Sequence, residues 1–240
     1  MGFLHLAQGM LMLWLSTAFT LPVTTLYLRF DPEANRLVQD LQQPFNLRIA
    51  PLVAMFLLIS AAAHFSLATF GYRWYVSNLK NHINKARWLE YAFSSSLMIV
   101  LIAMLVGMYD LSSLILIFSL NACMIMFGYM MELHNQNTVR TDWTAFVFGC
   151  FAGAVPWAVI ALYTLGANQA PETSVPGFVY GILISLFVFF NIFAVNMWLQ
   201  YKKAGPWRNY LYGERMYIVL SLVAKSALAW QMFFGTLRPV

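Results

Sequence analysis

Long apolar stretches alternate with short polar stretches along the whole chain. Seven apolar runs can be drawn, and each has about the 20 residues that a helix needs to cross a bilayer. They are residues 3–23, 50–70, 88–109, 111–131, 143–166, 176–201 and 216–237. Such runs favour helices, because lipid-exposed strands of this length would leave backbone hydrogen bonds unsatisfied. The pattern predicts an all-α membrane protein, a bundle of seven transmembrane helices.

The connection between the first two runs, about residues 24–49, has the alternation of a β-strand. Apolar side chains occupy every second position over residues 26–30, an Asp-Pro pair at residues 31–32 favours a turn, and residues 37–38 suit a return strand. We predict a small β-hairpin outside the membrane that covers a partner subunit. An irregular loop is the alternative.

The composition excludes an ordinary soluble domain. Of the 240 residues, 61% are hydrophobic and 10% are charged, and the mean hydropathy is +0.67. Soluble domains are about 45–50% apolar and about 25% charged. We therefore expect residues 1–240 to form one membrane domain in a lipid bilayer, with no nucleic-acid partner.

The basic residues are distributed unequally between the two sides of the predicted bundle. The side that carries the N-terminus has nine of them, namely Arg73, Lys80, Lys85, Arg87, Arg140, Lys202, Lys203, Arg208 and Arg215. The opposite side has four, namely Arg29, Arg36, Arg48 and Arg238. The positive-inside rule then predicts a cytoplasmic N-terminus, an extracellular C-terminus and an extracellular hairpin in a cell-membrane protein.

Lys225 is the one charged residue of the last apolar run. A charged amine at that depth costs about 2.5–3.5 kcal/mol unless it is neutral or paired. A lysine in a dry pocket is also the amine that forms Schiff bases with aldehydes and ketones. Glu90 is the one carboxylate inside an apolar run and so the one expected inside the bundle, whereas Asp110, Glu132 and Glu214 fall at helix ends. We predict that Glu90 pairs with Lys225 as the counterion of a protonated Schiff base.

The depths of the two residues leave an alternative open. Lys225 follows Arg215 by ten residues, about 15 Å along a helix, whereas Glu90 follows Arg87 by three residues, about 5 Å. A lysine side chain leans toward the N-terminus of its helix, which closes part of the gap. In the alternative, Glu90 is interfacial and pairs with Arg87 across one helical turn.

Hydroxyl groups lie one helical turn from both residues. Ser221 precedes Lys225 by four residues, so it can hydrogen-bond a Schiff base on the same helical face. Ser94 follows Glu90 by four residues and Ser95 is its neighbour, so these two hydroxyls can hold the carboxylate or a few waters.

Two histidines suggest a proton-accepting pocket on the inner side of the lysine. His5 and His64 lie toward the cytoplasmic ends of the first two runs, and Gln8, Glu90 and Ser94 are its other candidate members. An imidazole titrates near neutral pH and can accept a proton. The alternative is two ordinary hydrogen-bonded histidines, and their spacing is not that of metal ligands.

Aromatic and polar side chains provide candidate walls for a polyene. The candidates are Tyr91, Asn121, Trp157, Phe187, Phe190 and Trp230. Pro156 bends the helix next to Trp157, because proline removes one backbone hydrogen bond. Trp230 follows Lys225 by five residues and points away from it. A lipid-facing or core stripe of aromatic residues is the alternative.

The chain resembles the heliorhodopsins, seven-helix retinal proteins that are inverted relative to other microbial rhodopsins. The resemblance covers essentially the whole chain and is carried by RWLEYAFSSSLMIVLIAMLVGMYD, PGFVYGILISLFVFFN and GERMYIVLSLVAKSALAWQMFFGTL, with FLHLAQ, AAAHF and AVPW as shorter matches. It implies all-trans retinal bound covalently to Lys225, with Glu90 as counterion and Ser221 where other rhodopsins carry a second carboxylate.

The resemblance also implies roles for residues around the chromophore. His5 and His64 would belong to the inner Schiff-base cavity, Met98 would face the polyene, and Phe190 would stand where many relatives have a tryptophan. The family's inverted orientation agrees with the count of basic residues. The family also forms homodimers, with the loop after the first helix folded as a small sheet outside the membrane.

The acidic residues suggest what the protein does with light. A proton pump relays a proton across about 30 Å of hydrocarbon, and a chain of carboxylates is typical of pumps. The outer half of the bundle offers only Asp110, at the interface. We expect a light sensor with a slow, non-pumping photocycle and an unidentified signalling partner, and no enzyme. A light-driven or light-gated proton transporter and a retinal-free seven-helix transporter or scaffold are the alternatives.

Overall fold

The computed structural model describes residues 1–169 and 175–239, which contain eight α-helices and two β-strands. The helices are α1 (Gly2–Leu15), α2 (Ile49–Ala68), α3 (Tyr72–Lys80), α4 (Lys85–Leu105), α5 (Leu111–His134), α6 (Thr144–Ala167), α7 (Gly177–Tyr201) and α8 (Tyr210–Met232). A 3₁₀ turn, Gly205–Arg208, precedes α8, and a π-helical turn, Phe233–Leu237, continues it.

All of these helices except α3 form a bundle. Within the described residues, α1 packs on α2, α2 on α4, α4 on α5, α5 on α6 and α7 on α8, and α8 also contacts α1 and α2. Six helices are long and apolar enough to span a membrane, and α1 is a shorter apolar helix. The predicted seven-helix bundle with a small hairpin is confirmed.

Helix α4 lies at the centre of the bundle. Every residue from Met98 to Met104 is buried, so neighbouring elements surround this part of α4 on all sides. The buried side chains of this segment contribute to the main hydrophobic core. A helix in this position can present its polar residues to several other helices at once.

The predicted first span, residues 3–23, is too long. Helix α1 ends at Leu15, and strand β1 (Thr20–Asp31) begins five residues later. Backbone hydrogen bonds explain the early end: Thr17 N–H donates to the Leu237 carbonyl at 2.8 Å, and Ile49 N–H donates to the Phe19 carbonyl at 3.1 Å. Apolarity alone did not distinguish this extended segment from a helix.

The hairpin predicted within residues 24–49 is present and longer than expected. Strand β1 pairs antiparallel with β2 (Arg36–Arg48), and a register irregularity lies between Val23 and Thr25. Thr24 N–H donates to the Tyr109 carbonyl at 2.9 Å, which ties the base of the hairpin to the α4–α5 connection. The base of the hairpin is therefore fixed at one end of the bundle.

Helix α3 was not predicted. It has nine residues and lies in the connection between the second and third apolar runs. Its sequence, YRWYVSNLK, mixes aromatic, basic and polar residues and so contains no long apolar run.

Candidate functional site

A buried ion pair joins helices α4 and α8. Lys225 Nζ lies 2.6 Å from Glu90 Oε1, and the two side chains are 4% and 10% exposed. Ser60 of α2 contacts both groups: it accepts a hydrogen bond from Lys225 Nζ at 2.5 Å and donates one to Glu90 Oε1 at 2.6 Å. Three helices thus meet at one amine, one carboxylate and one hydroxyl.

The alternative in which Glu90 pairs with Arg87 is wrong. Arg87 is itself buried, and its guanidinium binds Glu132 and Glu214. Arg87 therefore does not mark the membrane interface, and counting from it underestimates how deep Glu90 lies. The apparent difference in depth between Glu90 and Lys225 disappears once α4 is placed in the bundle.

A second buried ionic cluster links α4, α5 and α8. Arg87 Nη2 donates to Glu132 Oε1 at 2.5 Å, and Arg87 Nε donates to Glu214 Oε2 at 3.0 Å. The guanidinium carbon also lies 3.9 Å from the ring centroids of both Trp88 and Tyr217. Burial of these charges is possible because each is paired and hydrogen-bonded.

This cluster corrects the prediction that Glu90 is the one carboxylate inside the bundle. Glu132 and Glu214 were placed at helix ends, but both are 3% exposed. Helices α5 and α8 extend beyond their apolar runs, and their polar ends converge on Arg87. Sequence position alone did not reveal that three charged residues from different helices satisfy one another.

A cavity of about 290 Å³ adjoins Lys225. Nine of the predicted site residues line it, namely Tyr91, Ser94, Ser95, Met98, Trp157, Phe187, Phe190, Ser221 and Lys225. Trp157 of α6 packs edge-on against Phe187 and Phe190 of α7, with ring centroids 5.2 and 5.6 Å apart. The cavity thus has an aromatic wall at α6 and α7 and an amine at α8.

Two predicted pocket residues lie outside the wall of this cavity. Asn121 donates hydrogen bonds to Ser95 Oγ at 2.9 Å and to Ser96 Oγ at 3.1 Å, so it lies behind a wall residue. Trp230 donates to Gln8 Oε1 at 3.0 Å and packs on Phe233. Five residues along a helix turn a side chain about 140° away, which explains why Trp230 does not share the face of Lys225.

The two histidines come together beside this site. His5 is fully buried, and its ring stacks on that of His64 with centroids 5.8 Å apart. Neither ring nitrogen of His5 has a hydrogen-bond partner among the described residues. Both histidines are close enough to Lys225 and Glu90 to interact with their charges.

Sequence reasoning missed several residues of the site. Ser60 is the most important, and a signal for it existed, because it precedes His64 by four residues and so shares its helical face. The small residues Gly128, Gly149 and Gly153, which line the cavity, gave no signal. A glycine leaves space for a ligand only where a neighbouring helix would otherwise be in contact with its side chain. Which helices are neighbours is known only from the packed bundle.

The comparison with known proteins agrees with this geometry. The model of the heliorhodopsin family matches residues 1–237. Among curated proteins, no sequence matches this chain. The family implies a retinal chromophore, and the described helices imply a multi-pass protein in a lipid bilayer. Because the match covers nearly the entire sequence, the chain belongs to the heliorhodopsin family of retinal-binding rhodopsins.

Proposed function

We propose that this protein is a light sensor in which Lys225 holds all-trans retinal as a protonated Schiff base and Glu90 is the counterion. The observation that carries the proposal is a lysine paired with a buried carboxylate at the wall of an aromatic-lined cavity. Bound retinal would supply light absorption and photoisomerisation. The chain has no catalytic role in this proposal.

The residues around the cavity fit such a chromophore. The Lys225 amine would condense with the aldehyde carbon, forming a C=N bond with loss of one water. The cavity is close to the lower end of the roughly 300–1,000 Å³ that ligand pockets occupy, and its wall is mainly apolar and aromatic. Trp157, Phe187 and Phe190 would enclose the polyene, and Met98 would contact it.

Glu90 and Ser60 would keep the positive charge in place. A cation in a low-dielectric interior is stable only beside an anion, and Glu90 Oε1 already lies 2.6 Å from the nitrogen. Ser60 donates to the same oxygen at 2.6 Å and thereby fixes the orientation of the carboxylate. Ser94 and Ser221, both buried, would provide further hydroxyl groups at the cavity.

The distribution of polar groups supports a sensor over a pump. On one side of the site, the buried segment from Met98 to Met104 is entirely apolar, and Asp110 lies beyond it at the start of α5. On the side of the N-terminus, His5 and His64 are close to the ion pair. A proton that leaves the Schiff base would move to these histidines and return slowly, since no carboxylate continues the path through the apolar segment.

The excess of basic residues on the N-terminal side supports a cytoplasmic N-terminus and an extracellular hairpin. The hairpin also supports a homodimer, because Leu26, Leu28, Leu37 and Leu41 are all more than half exposed. Contiguous apolar surface of this kind marks protein–protein or membrane contacts. Sedimentation of the detergent-solubilised chain as a monomer would contradict the dimer.

We expect Glu90→Gln to move the acid–base transition of the visible absorption band to lower pH by about one to three pH units, and to shift the absorption maximum. The reason is that an opposite charge beside a titrating cation stabilises its protonated form by this amount. Spectra recorded across a pH series measure the effect. Asp110→Asn, which removes a carboxylate remote from Lys225, is the control. A Glu90→Gln pigment that titrates like the parent would remove Glu90 from the counterion role.

We expect His5→Ala and His64→Ala to form pigment normally and to change the kinetics of proton release and uptake in the photocycle. Flash photolysis with a pH-sensitive dye measures these kinetics. His134→Ala removes a half-exposed histidine at the end of α5 and is the control. The inner-pocket role fails if both variants cycle like the parent.

The alternative function is a light-driven or light-gated proton transporter. The stacked pair of His5 and His64 beside the ion pair favours it, because such groups can relay protons. Illumination of vesicles that contain the protein distinguishes the two functions. A sustained light-dependent pH change or current across the vesicle membrane would replace the sensor by the transporter.

A further inference from the structure

The connection between α2 and α4 carries positive charge without any compensating carboxylate. No acidic residue occurs in the sequence between Asp40 and Glu90. Arg73, Lys80 and Lys85 lie in or directly after this connection. No described carboxylate forms an ion pair with any of these three residues. This surface is therefore strongly cationic.

Helix α3, within this connection, is amphipathic. Arg73, Ser77 and Lys80 follow one another at spacings of four and three residues and are all exposed, so they form one polar stripe. The flanking Phe70 and Trp74 are 87% and 47% exposed. Basic residues beside exposed aromatic residues are typical of a helix that lies in the plane of the membrane interface.

A polar recess of about 410 Å³ lies between the end of α3 and the ends of the spanning helices α4 and α5. We call it the basic recess, and its polar lining residues are Asn78, Lys80, Asn81, His82, Lys85 and Gln136. None of its lining residues is acidic. The nearby Glu132 points into the bundle, where it accepts hydrogen bonds from Arg87 and Trp88.

The recess has a defined backbone frame. Gln136, in the turn that follows α5, donates a hydrogen bond to the Asn81 carbonyl at 2.9 Å, which holds the turn after α3 against the end of α5. The ring of His82 packs against Tyr210 of α8 with centroids 5.1 Å apart. Lys80 and Lys85 thus flank a turn that contacts with α8 and with the end of α5 hold in position.

We propose that the basic recess binds the headgroup of an anionic phospholipid from the leaflet on the N-terminal side of the protein, with α3 lying in the interface beside it. Lys80 and Lys85 would contact the phosphate, and the amides of Asn78, Asn81 and Gln136 would hydrogen-bond its oxygens or the glycerol. The acyl chains would run along the spanning helices that end at the recess.

Two observations favour a lipid over a soluble anion. The recess lies at the end of helices that are long and apolar enough to span the bilayer, which is where headgroups are found. The exposed Phe70 and Trp74, near the start of α3, would meet the interface, where aromatic side chains are enriched. Lysines near a membrane surface also attract anionic lipids.

The test is equilibrium binding of a fluorescent phosphatidylglycerol to the full-length protein in a neutral detergent, with phosphatidylcholine as the neutral lipid. We expect Lys80→Gln/Lys85→Gln to weaken phosphatidylglycerol binding about tenfold or more, because each lysine contributes separately to the attraction. Lys202→Gln/Lys203→Gln removes the same charge on the same side of the protein and should bind like the parent. Lys80→Arg/Lys85→Arg keeps the charge and should retain binding.

Three results would overturn the proposal. One is equal binding by the parent and Lys80→Gln/Lys85→Gln, and another is an equal loss in Lys202→Gln/Lys203→Gln. The third is displacement of the lipid by inorganic phosphate at a comparable concentration, which would indicate a soluble anion site. Thermal unfolding of each variant checks its folding, and the arginine variant keeps the test valid if the glutamine variant is unstable.

Discussion

Lys225→Ala should leave the protein colourless after incubation with all-trans retinal, whereas the parent should show a visible absorption band. The alanine variant has no amine at the wall of the cavity, so no Schiff base can form there. Absorption spectra of the two purified proteins measure the difference, which we expect to be a complete loss of the band. Hydroxylamine in the light should bleach the parent band, since it attacks the C=N bond.

Two further variants separate loss of the amine from loss of the fold. Lys225→Ala leaves the buried Glu90 without its partner, and removal of one member of a buried ion pair is strongly destabilising. Lys225→Arg keeps a positive charge beside Glu90 but its guanidinium does not form the linkage, so it should be folded and colourless. Lys202→Ala removes an exposed lysine and should be coloured. A visible band in folded Lys225→Arg would show that retinal is not bound at this position.

Arg87→Ala should lower the free energy of unfolding by about 3–5 kcal/mol, the cost of leaving buried charges without their partner. Arg87 is the shared partner of Glu132 and Glu214, which are both 3% exposed. The substitution also removes the guanidinium from between the rings of Trp88 and Tyr217. Equilibrium unfolding in mixed micelles measures the change.

The neighbouring Arg215 provides a matched control for this prediction. Arg215 is exposed and follows Glu214 directly in α8, so Arg215→Ala should change the stability by no more than about 0.5 kcal/mol. Arg87→Ala/Glu132→Gln should regain part of the loss, because one of the two unpaired carboxylates is then neutral. Equal stability of Arg87→Ala and Arg215→Ala would mean that the cluster does not hold α4, α5 and α8 together.

Much of the fold was predictable because a bilayer restricts the possible structures. Apolar runs of this length have few alternatives to helices, and the short strand pattern with an Asp-Pro turn indicated the hairpin. The prediction was wrong for residues 16–23, where an apolar segment finds its hydrogen-bond partners in other elements instead of within a helix. Helix α3 was missed because its apolar residues form only one narrow face.

In the candidate site, too, some residues could be predicted from the sequence and others could not. Lys225 and Glu90 could be found because each is a rare ionisable residue in an apolar run. Ser60 was missed because a serine costs little in a helix and therefore does not stand out. Glu132 and Glu214 were assigned to helix ends, and Arg87 to a connection, because their burial depends on how α4, α5 and α8 converge.

The sequence by itself determined the class of protein, the number of bundle helices, the hairpin and the two residues that carry the proposed chemistry. These features depend on hydrophobicity and on the cost of a charge in lipid, which are local properties of the chain. Only the tertiary structure decided which carboxylate faces which cation, that Ser60 joins Lys225 and Glu90, and where the cavity and the basic recess lie. Those features depend on distances between residues far apart in the sequence, which packing of the helices fixes.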